Sequence, residues 1–473
     1  MAFEAATNAC ELLKKVFPGR VTTQETQEAF QAERDRPWSQ TCWIPSAAYV
    51  VLNDAHEVAT ALAIIKKTGC QFSIRTSGHN PNAGFSSVDG SGVVLDLRGL
   101  NEKTLGSDGV LHAAGGCIWG DIYPFLEEHG RSPIGGRERQ VGLGGFLTGG
   151  GYPAFSSLHG IGPDGVKGCE IVLADGSIVE ANANTNSDLW RALKGGTSNF
   201  GIATRFDINT HPLIKAKFTI KLYDPSDYVN INAATIKIQE AMENNPKLNV
   251  FTNFNKQFVA VIMIYADSPP EMPPVFEAFE KLSSHLNTAV PPTDGTVLTL
   301  VQTLSEMGHV PQSLSRKIGT VTTKVSADLY DEVNRIWQSS NKKVPEGGML
   351  HYTIQPLSST SVKAGEEAGG NSMGLEKVPQ CWWVFTAEWP QDLPGGSAIE
   401  QAHNELLQAV EKLAKDKGVF LDFICPSFAG AEQNVLRGFG EDNVRKLKEV
   451  SHKYDPEGVF QKLQNNGFLL RNI

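Results

Sequence analysis

The stretch from Val141 to Tyr152, VGLGGFLTGGGY, sets six glycines among the apolar side chains of Val141, Leu143, Phe146 and Leu147. Residues without a Cβ let the backbone take positive φ and bring its N–H groups close to a ligand. A flexible linker would share the glycines, but it would not carry apolar residues that demand burial. A cradle folded against a phosphate-bearing ligand accounts for both, so this segment is expected inside the molecule.

At 473 residues the chain exceeds one ordinary hydrophobic core, and two domains are the natural expectation. A hydrophobic fraction of 41% with 20% charged residues describes a soluble globular protein rather than a disordered one. The net charge of −10 argues against nucleic acid or an anionic membrane as partner. No apolar run is long enough to span a bilayer. The opening residues, MAFEAATNACELLKKVF, are interrupted by Glu4 and Glu11 and do not read as a secretory signal. With no N-x-S/T sequon either, a cytoplasmic location is expected. Seven cysteines stand singly with no C-x-x-C, so free buried thiols are expected rather than zinc ligands or disulfides. The eleven histidines form no i, i+4 pair, and no metal site is expected.

Local signals give an α+β order. Asp54 with Glu57 reads as an N-cap for a helix that Gly69 ends. GVVLDL from Gly92 reads as a buried strand, 121–129 as a helix, and Asp175-Gly176 as the turn of a hairpin. Beyond His211 longer amphipathic helices (233–242, 274–285) alternate with strands (258–265, 382–389), which suits an antiparallel sheet backed by helices. The polar, glycine-rich 358–370 reads as a mobile loop. The expected domains are 1–213, 214–429, and a return of 430–473 to the first.

One glycine motif misleads. Gly160-Ile161-Gly162-Pro163-Asp164-Gly165 matches G-x-G-x-x-G, but Pro163 and Gly168 would break the helix such a dinucleotide fingerprint needs. Phosphate-loop, nucleophile-elbow and H-E-x-x-H patterns are absent. More telling is Ile74-Arg75-Thr76-Ser77-Gly78-His79, an apolar strand running into small polar residues and one imidazole. The histidine either serves a turn or acts as a nucleophile toward an electrophilic ligand.

Together these segments resemble the vanillyl-alcohol-oxidase or p-cresol-methylhydroxylase (PCMH) type FAD-binding superfamily, in its berberine-bridge-enzyme-like fungal branch. The resemblance rests on RTSGH at 75–79, NAGFSS at 82–87, Gly116 to Tyr123, the glycine cluster, Asp164 to Gly176, WRALKGGTSNFG at 190–201 and YDPEGVFQ at 454–461. It implies an α+β, two-domain PCMH-type fold whose second domain is an antiparallel sheet backed by helices. It implies FAD linked through a single 8α-histidyl bond to His79. Arg75, Thr76, Ser77, Gly78, Asn82, Phe85, Ser86, Gly142, Gly144, Gly145, Gly149, Gly150, Tyr152, Asp164, Val166, Gly201 and Ile202 are the further cofactor contacts it implies. Glu138 stands where many relatives have a second, cysteinyl attachment, and Phe146 replaces a histidine of plant relatives.

The segment where relatives show Tyr-x-Asn-Tyr reads Phe420-Leu421-Asp422-Phe423, without either phenol. Asp422 is then a general base if burial raises its pKa, or an ordinary strand aspartate; Tyr352 is the other acid/base candidate. The resemblance puts Gln355 and Asn371 in the substrate pocket, and the apolar Phe420 and Phe423 suggest a greasy small molecule. It implies an FAD-linked oxidase of secondary metabolism, with hydride passing to flavin N5 and O2 as acceptor. A cyclase or pericyclase with redox-silent FAD is the alternative, and a flavin-free binding protein a third reading. Oligomeric state and substrate identity are not legible.

Overall fold

The computed structural model describes residues 2–307 and 313–473. Gly92–Asp96 is buried at every position because it lies between two parallel neighbours, Ala48–Val51 and Gln71–Arg75. A strand covered on both faces is apolar throughout rather than alternating. Val21–Thr22 adds an antiparallel edge to this four-stranded sheet. Helices Ala2–Val16 and Ala55–Thr68 pack on it. The second of these begins as its sequence demands: the Asp54 carboxylate accepts from Glu57 N at 2.9 Å, and Gly69 ends it at φ +67°.

Six strands form the second sheet, in the order Lys103–Leu105, Val110–Ala114, Ile202–Pro212, Val166–Val172, Ile178–Asn182, with Arg131–Pro133 also pairing Ile202–Pro212. Gly176 takes φ +85° between the two strands of its hairpin, as an Asp-Gly turn requires.

The third sheet has eight antiparallel strands in the order His285–Thr296, Lys215–Tyr223, Val259–Tyr265, Leu248–Phe254, Met349–Leu357, Gln380–Trp389, Ser315–Lys324, Phe420–Leu421. Its two faces have separate jobs, because side chains alternate across a strand. One face, with Val250, Tyr352, Trp383 and Phe385, packs under helices Tyr228–Met242, Ala327–Asn341 and Gly396–Asp416. The other, with Phe218, Phe251, Ile264 and Trp382, shares a core with Leu143, Phe146, Leu147 and Tyr152 of the glycine-rich segment.

Two expectations are corrected. The mobile loop at 358–370 is largely helix, Ser359–Glu367, because Ser358 caps it by accepting from Ser361 N and Ser361, Val362 and Gly365 are buried. The long helix at 274–285 reduces to Pro274–Phe276 and Glu277–Glu280, since the chain must already be extended at His285 to pair with Tyr223.

The end of the chain returns to the first sheet. Asp455 accepts from Val459 N and Phe460 N, both at 2.8 Å, and Phe460 packs edge-on against Phe72. Phe72 then exchanges backbone hydrogen bonds with Leu463 and Asn465, while the Asn465 amide reaches the carbonyls of Gly84 and Ser87.

Candidate functional site

The loop after Gln71–Arg75 is held from behind by buried charge. Arg75, 1% exposed, gives Nε to Asp96 at 2.7 Å and Nη2 to Glu33 at 2.6 Å, and Arg98 grips the same two carboxylates. Burial raises the Glu33 pKa, but the Arg98 hydrogen bonds and the charges of Arg75, Arg98 and Arg36 outweigh it and bring the group down to about 2. The guanidinium of Arg75 is therefore committed to protein carboxylates. Its side chain thus anchors the loop, where a cofactor contact was expected.

Gly78 takes φ +75°, and its carbonyl accepts from Trp38 N at 3.0 Å. That contact lays the Trp38 indole on the His79 imidazole, ring centres 4.6 Å apart and planes 8° from parallel. Arg316 covers the other face of Trp38, with Cζ 4.1 Å from the ring centre. Enclosure within this stack, and then the Arg316 charge, lower the His79 pKa to about 4. At neutral pH the imidazole is the free base, although part of its surface stays open.

The glycine cluster closes against this loop. Ser77 Oγ accepts from Gly142 N at 3.0 Å. A Cβ at Gly142 would lie 2.6 Å from Thr76 Oγ1, and one at Gly144 2.9 Å from Thr76 Cγ2, so the approach exists only because these residues lack side chains. A Cβ at Gly145 would meet nothing within 4 Å, which leaves open space on that side. Seven residues on from His79, Ser86 Oγ is buried without a hydrogen-bond partner. An orphaned hydroxyl in the segment after His79 and a cradle of backbone are groups that a phosphate-bearing ligand could complete.

Other expected cofactor residues brace the walls. Asn82 donates to Ala429 O and accepts from Ala431 N, and Phe85 meets Phe468 edge-on at 5.0 Å. Gly149 O accepts from both N and Oγ of Ser427, and Gly150 O from Cys425 Sγ. Val166 O accepts from Trp190 Nε1, a Cβ at Gly201 would strike Ile171, and Ile202 is buried in the N-terminal core. Asp164 is buried, which raises its pKa; it accepts from Ile161 N and from Asn371 Nδ2 at 2.9 Å. Asp164 and Asn371 line a cleft of about 150 Å³ with Arg191, Ser361 and Glu366. Asn371, expected in the substrate pocket with Gln355, thus joins the Asp164 cluster instead.

That sheet face carries a polar lane: Asn253, His351, Thr353 and Gln355 on neighbouring strands, with Glu388 and Arg316 at one end. Asn253 Nδ2 lies 3.1 Å from His351 Nδ1 and donates to Thr353 Oγ1, while His351 Nε2 lies 3.4 Å from Glu388. Glu388 accepts from Arg316 Nε at 2.7 Å. Burial raises its pKa, but His351 and Arg316 more than compensate and it is lowered overall. At the other end Gln355 accepts from Arg137, whose guanidinium lies between the rings of Tyr152 (4.8 Å) and Phe251 (4.6 Å).

Three expected residues are elsewhere. Tyr352 projects from the opposite face, 0% exposed, stacked on Phe254 and bonded by Asn334, because its strand parity points it at the helices. Phe420 shares that parity: it pairs with Thr323 and lies under Lys415. Asp422 is exposed, so the burial on which its role as a base depended is absent. Phe423 does reach the junction, packed on Trp382 at 5.1 Å. The sequence reading missed Trp38, Arg137, Arg316, His351 and Glu388; strand parity could have flagged His351, while the other four acquire meaning only from contacts distant in sequence.

A neutral imidazole at the rim of a glycine cradle, facing an antiparallel sheet, defines a flavoprotein of the PCMH type. Comparison with known proteins agrees. Residues 46–182 match the model of the FAD binding domain. An FAD-dependent monooxygenase of Arthrobotrys oligospora is 33% identical over 97% of this chain and 89% of its own. The bifunctional solanapyrone synthase of Alternaria solani is 30% identical over 88% of this chain and 80% of its own. A glucooligosaccharide oxidase of Acremonium strictum, whose FAD is 6-S-cysteinyl and 8α-N1-histidyl linked, superposes with a TM-score of 0.81 at 17% identity, covering 98% of this chain and 99% of that one. The chain belongs to the family of fungal FAD-dependent monooxygenases, and its fold is the PCMH type. It is an FAD-dependent oxidoreductase.

Proposed function

We propose that the crevice between the glycine cradle and the polar lane holds FAD through one covalent bond, from His79, and that the protein is an oxidase of secondary metabolism acting on a small, largely apolar substrate. The observation that carries this is the Arg316–Trp38–His79 stack, which keeps the imidazole nucleophilic at neutral pH. Backbone groups of Thr76 to Gly78 and of Gly142 to Gly145, with Ser86 Oγ, would meet the pyrophosphate, and Asp164 lies on the adenine side. Glu138 offers no thiol for a second attachment. When bound, FAD supplies a two-electron acceptor for hydride leaving the substrate, with dioxygen as the final oxidant. The domain division falls near 213 and 429, which puts the crevice at a junction, where ligand pockets concentrate.

His351 replaces Tyr352 and Asp422 as the proton acceptor. Glu388 orients the ring through Nε2, and Nδ1, which now lies 3.1 Å from Asn253 Nδ2, takes the proton when the substrate displaces that amide. Phe251, Trp382 and Phe423 exclude water and pack the substrate body.

Mass spectrometry of the denatured protein tests the attachment. The wild type is expected to carry one added FAD mass, and His79→Ala none while still binding FAD reversibly. An adduct that persists in His79→Ala overturns the assignment. The absence of a phenol from the lane favours a second reading, a cyclase with redox-silent FAD, in which positioning alone drives ring closure.

A further inference from the structure

The two fully buried arginines among the described residues are matched with acid. Arg75 meets Glu33 and Asp96, and Arg316 meets Glu388. Arg205 is ringed by Glu170, Glu180 and Asp207. Arg137 differs. Among the described residues no carboxylate pairs with it, and its hydrogen bond goes to the neutral amide of Gln355. Two aromatic rings close against the guanidinium keep water from it without supplying negative charge. Burial lowers its pKa to about 10, the two nearby tyrosines Tyr152 and Tyr123 opposing this only in part. A guanidinium presents five donors in a planar fork suited to two oxygens, so most of its hydrogen-bonding capacity is left for a ligand. Leaving such a charge uncompensated is costly, and a fold retains it where function uses it.

Its position says what for. Arg137 immediately precedes the segment leading to the cradle and projects onto the sheet face that carries Gln355, Thr353 and His351. Tyr152 is locked by its hydroxyl donating to Pro356 O, so one aromatic wall is fixed in place. Gln355 holds the guanidinium from the side.

We propose that Arg137 is the substrate anchor of this pocket, and that it selects molecules carrying an anionic oxygen, a carboxylate or acidic enol, on a flat conjugated body. The body lies along the sheet face beside Thr353 and His351, and the two oxygens meet the guanidinium fork. This rests on the reading of the crevice as the substrate site, and it sharpens "apolar" to "apolar with one acidic group".

Calorimetric titration of the purified holoenzyme with benzoate and with benzamide tests it, flavin content being measured separately by absorbance. A colourless protein would count against the flavin reading without altering the binding ratio. Benzoate is expected to bind at least tenfold more tightly than benzamide, and Arg137→Gln to abolish that preference. Arg137→Lys is expected to keep part of it, since charge remains but the fork is lost. If Arg137 were merely structural its removal would lower the melting temperature; here Arg137→Gln is expected to melt at or above the wild type. Equal affinity for the two probes, no saturable benzoate binding, or a preference that survives in Arg137→Gln overturns the proposal. The comparison within the wild type decides it should the variants not fold.

Discussion

Glu33 shows how much a single side chain off the crevice does for it. It receives Arg75, Arg98 and Arg36, and through Arg75 it fixes the strand end from which the His79 loop departs. A carboxyl whose folded pKa is depressed stabilises the fold above its unfolded value, and that contribution fades as pH falls through the folded one. The drop from 4.5 to about 2 corresponds to about 3 kcal/mol. In urea melts Glu33→Gln is expected to trail the wild type by about that much at pH 7, with the gap closing between pH 4.5 and 2. A gap that stays constant across the range would show that the ion cluster is not its source. At this scale the sequence was informative where chemistry is local. Ser77, Gly78 and His79 announce a ligand loop by their smallness and one imidazole. Arg75 looked like a phosphate contact because the opposing Glu33 and Asp96 lie 42 and 21 residues away, and no local pattern reveals that they claim it.

Among the elements, helix Ser359–Glu367 links the large sheet to the Asp164 cluster. A Cβ on Gly365 would stand 2.5 Å from Asp164 Oδ2, so glycine is required by contact rather than by φ. Gly365→Ala is expected to push the helix away from Asp164 and to weaken FAD retention on dialysis of the non-covalent His79→Ala form. Ser358→Ala, which removes the cap alone, is expected to cost about 1 kcal/mol in stability while leaving retention unchanged. Equal losses of retention in the two variants would contradict this division of roles. The helix escaped the sequence reading because its polarity and its glycines mimic a loop; what stabilises it is burial of Val362 and Gly365 against a distant segment. The helix from Ala55 and the hairpin at Asp175-Gly176 were legible because cap and turn chemistry is written within a few residues. Strand parity separates the substrate residues in the same way: Gln355 and Tyr352 share a strand but not a face, and composition cannot tell which face a crevice takes.

For the whole molecule, the open question between oxidase and cyclase is one of oxygen access. The proposed crevice would have backbone as its floor and Thr353, His351 and packed aromatic rings on the sheet side, with His79 partly open to solvent. Holoenzyme reduced with dithionite and mixed with aerated buffer is expected to regain its flavin absorbance within seconds, with peroxide formed in equal amount. A flavin that stays reduced for minutes would favour the redox-silent reading. Among the described residues no helix is long and apolar enough to cross a membrane, and no His, Cys, Asp or Glu cluster could hold a metal ion.

The Asn465 amide that ties the carbonyls of Gly84 and Ser87 bridges 381 residues of sequence to the first of them. During synthesis the ribosome must therefore lay down the entire eight-stranded sheet before the segment after His79 gains this brace. A chain stalled midway would present that loop without the tie, its fold left open at the end farthest along the sequence.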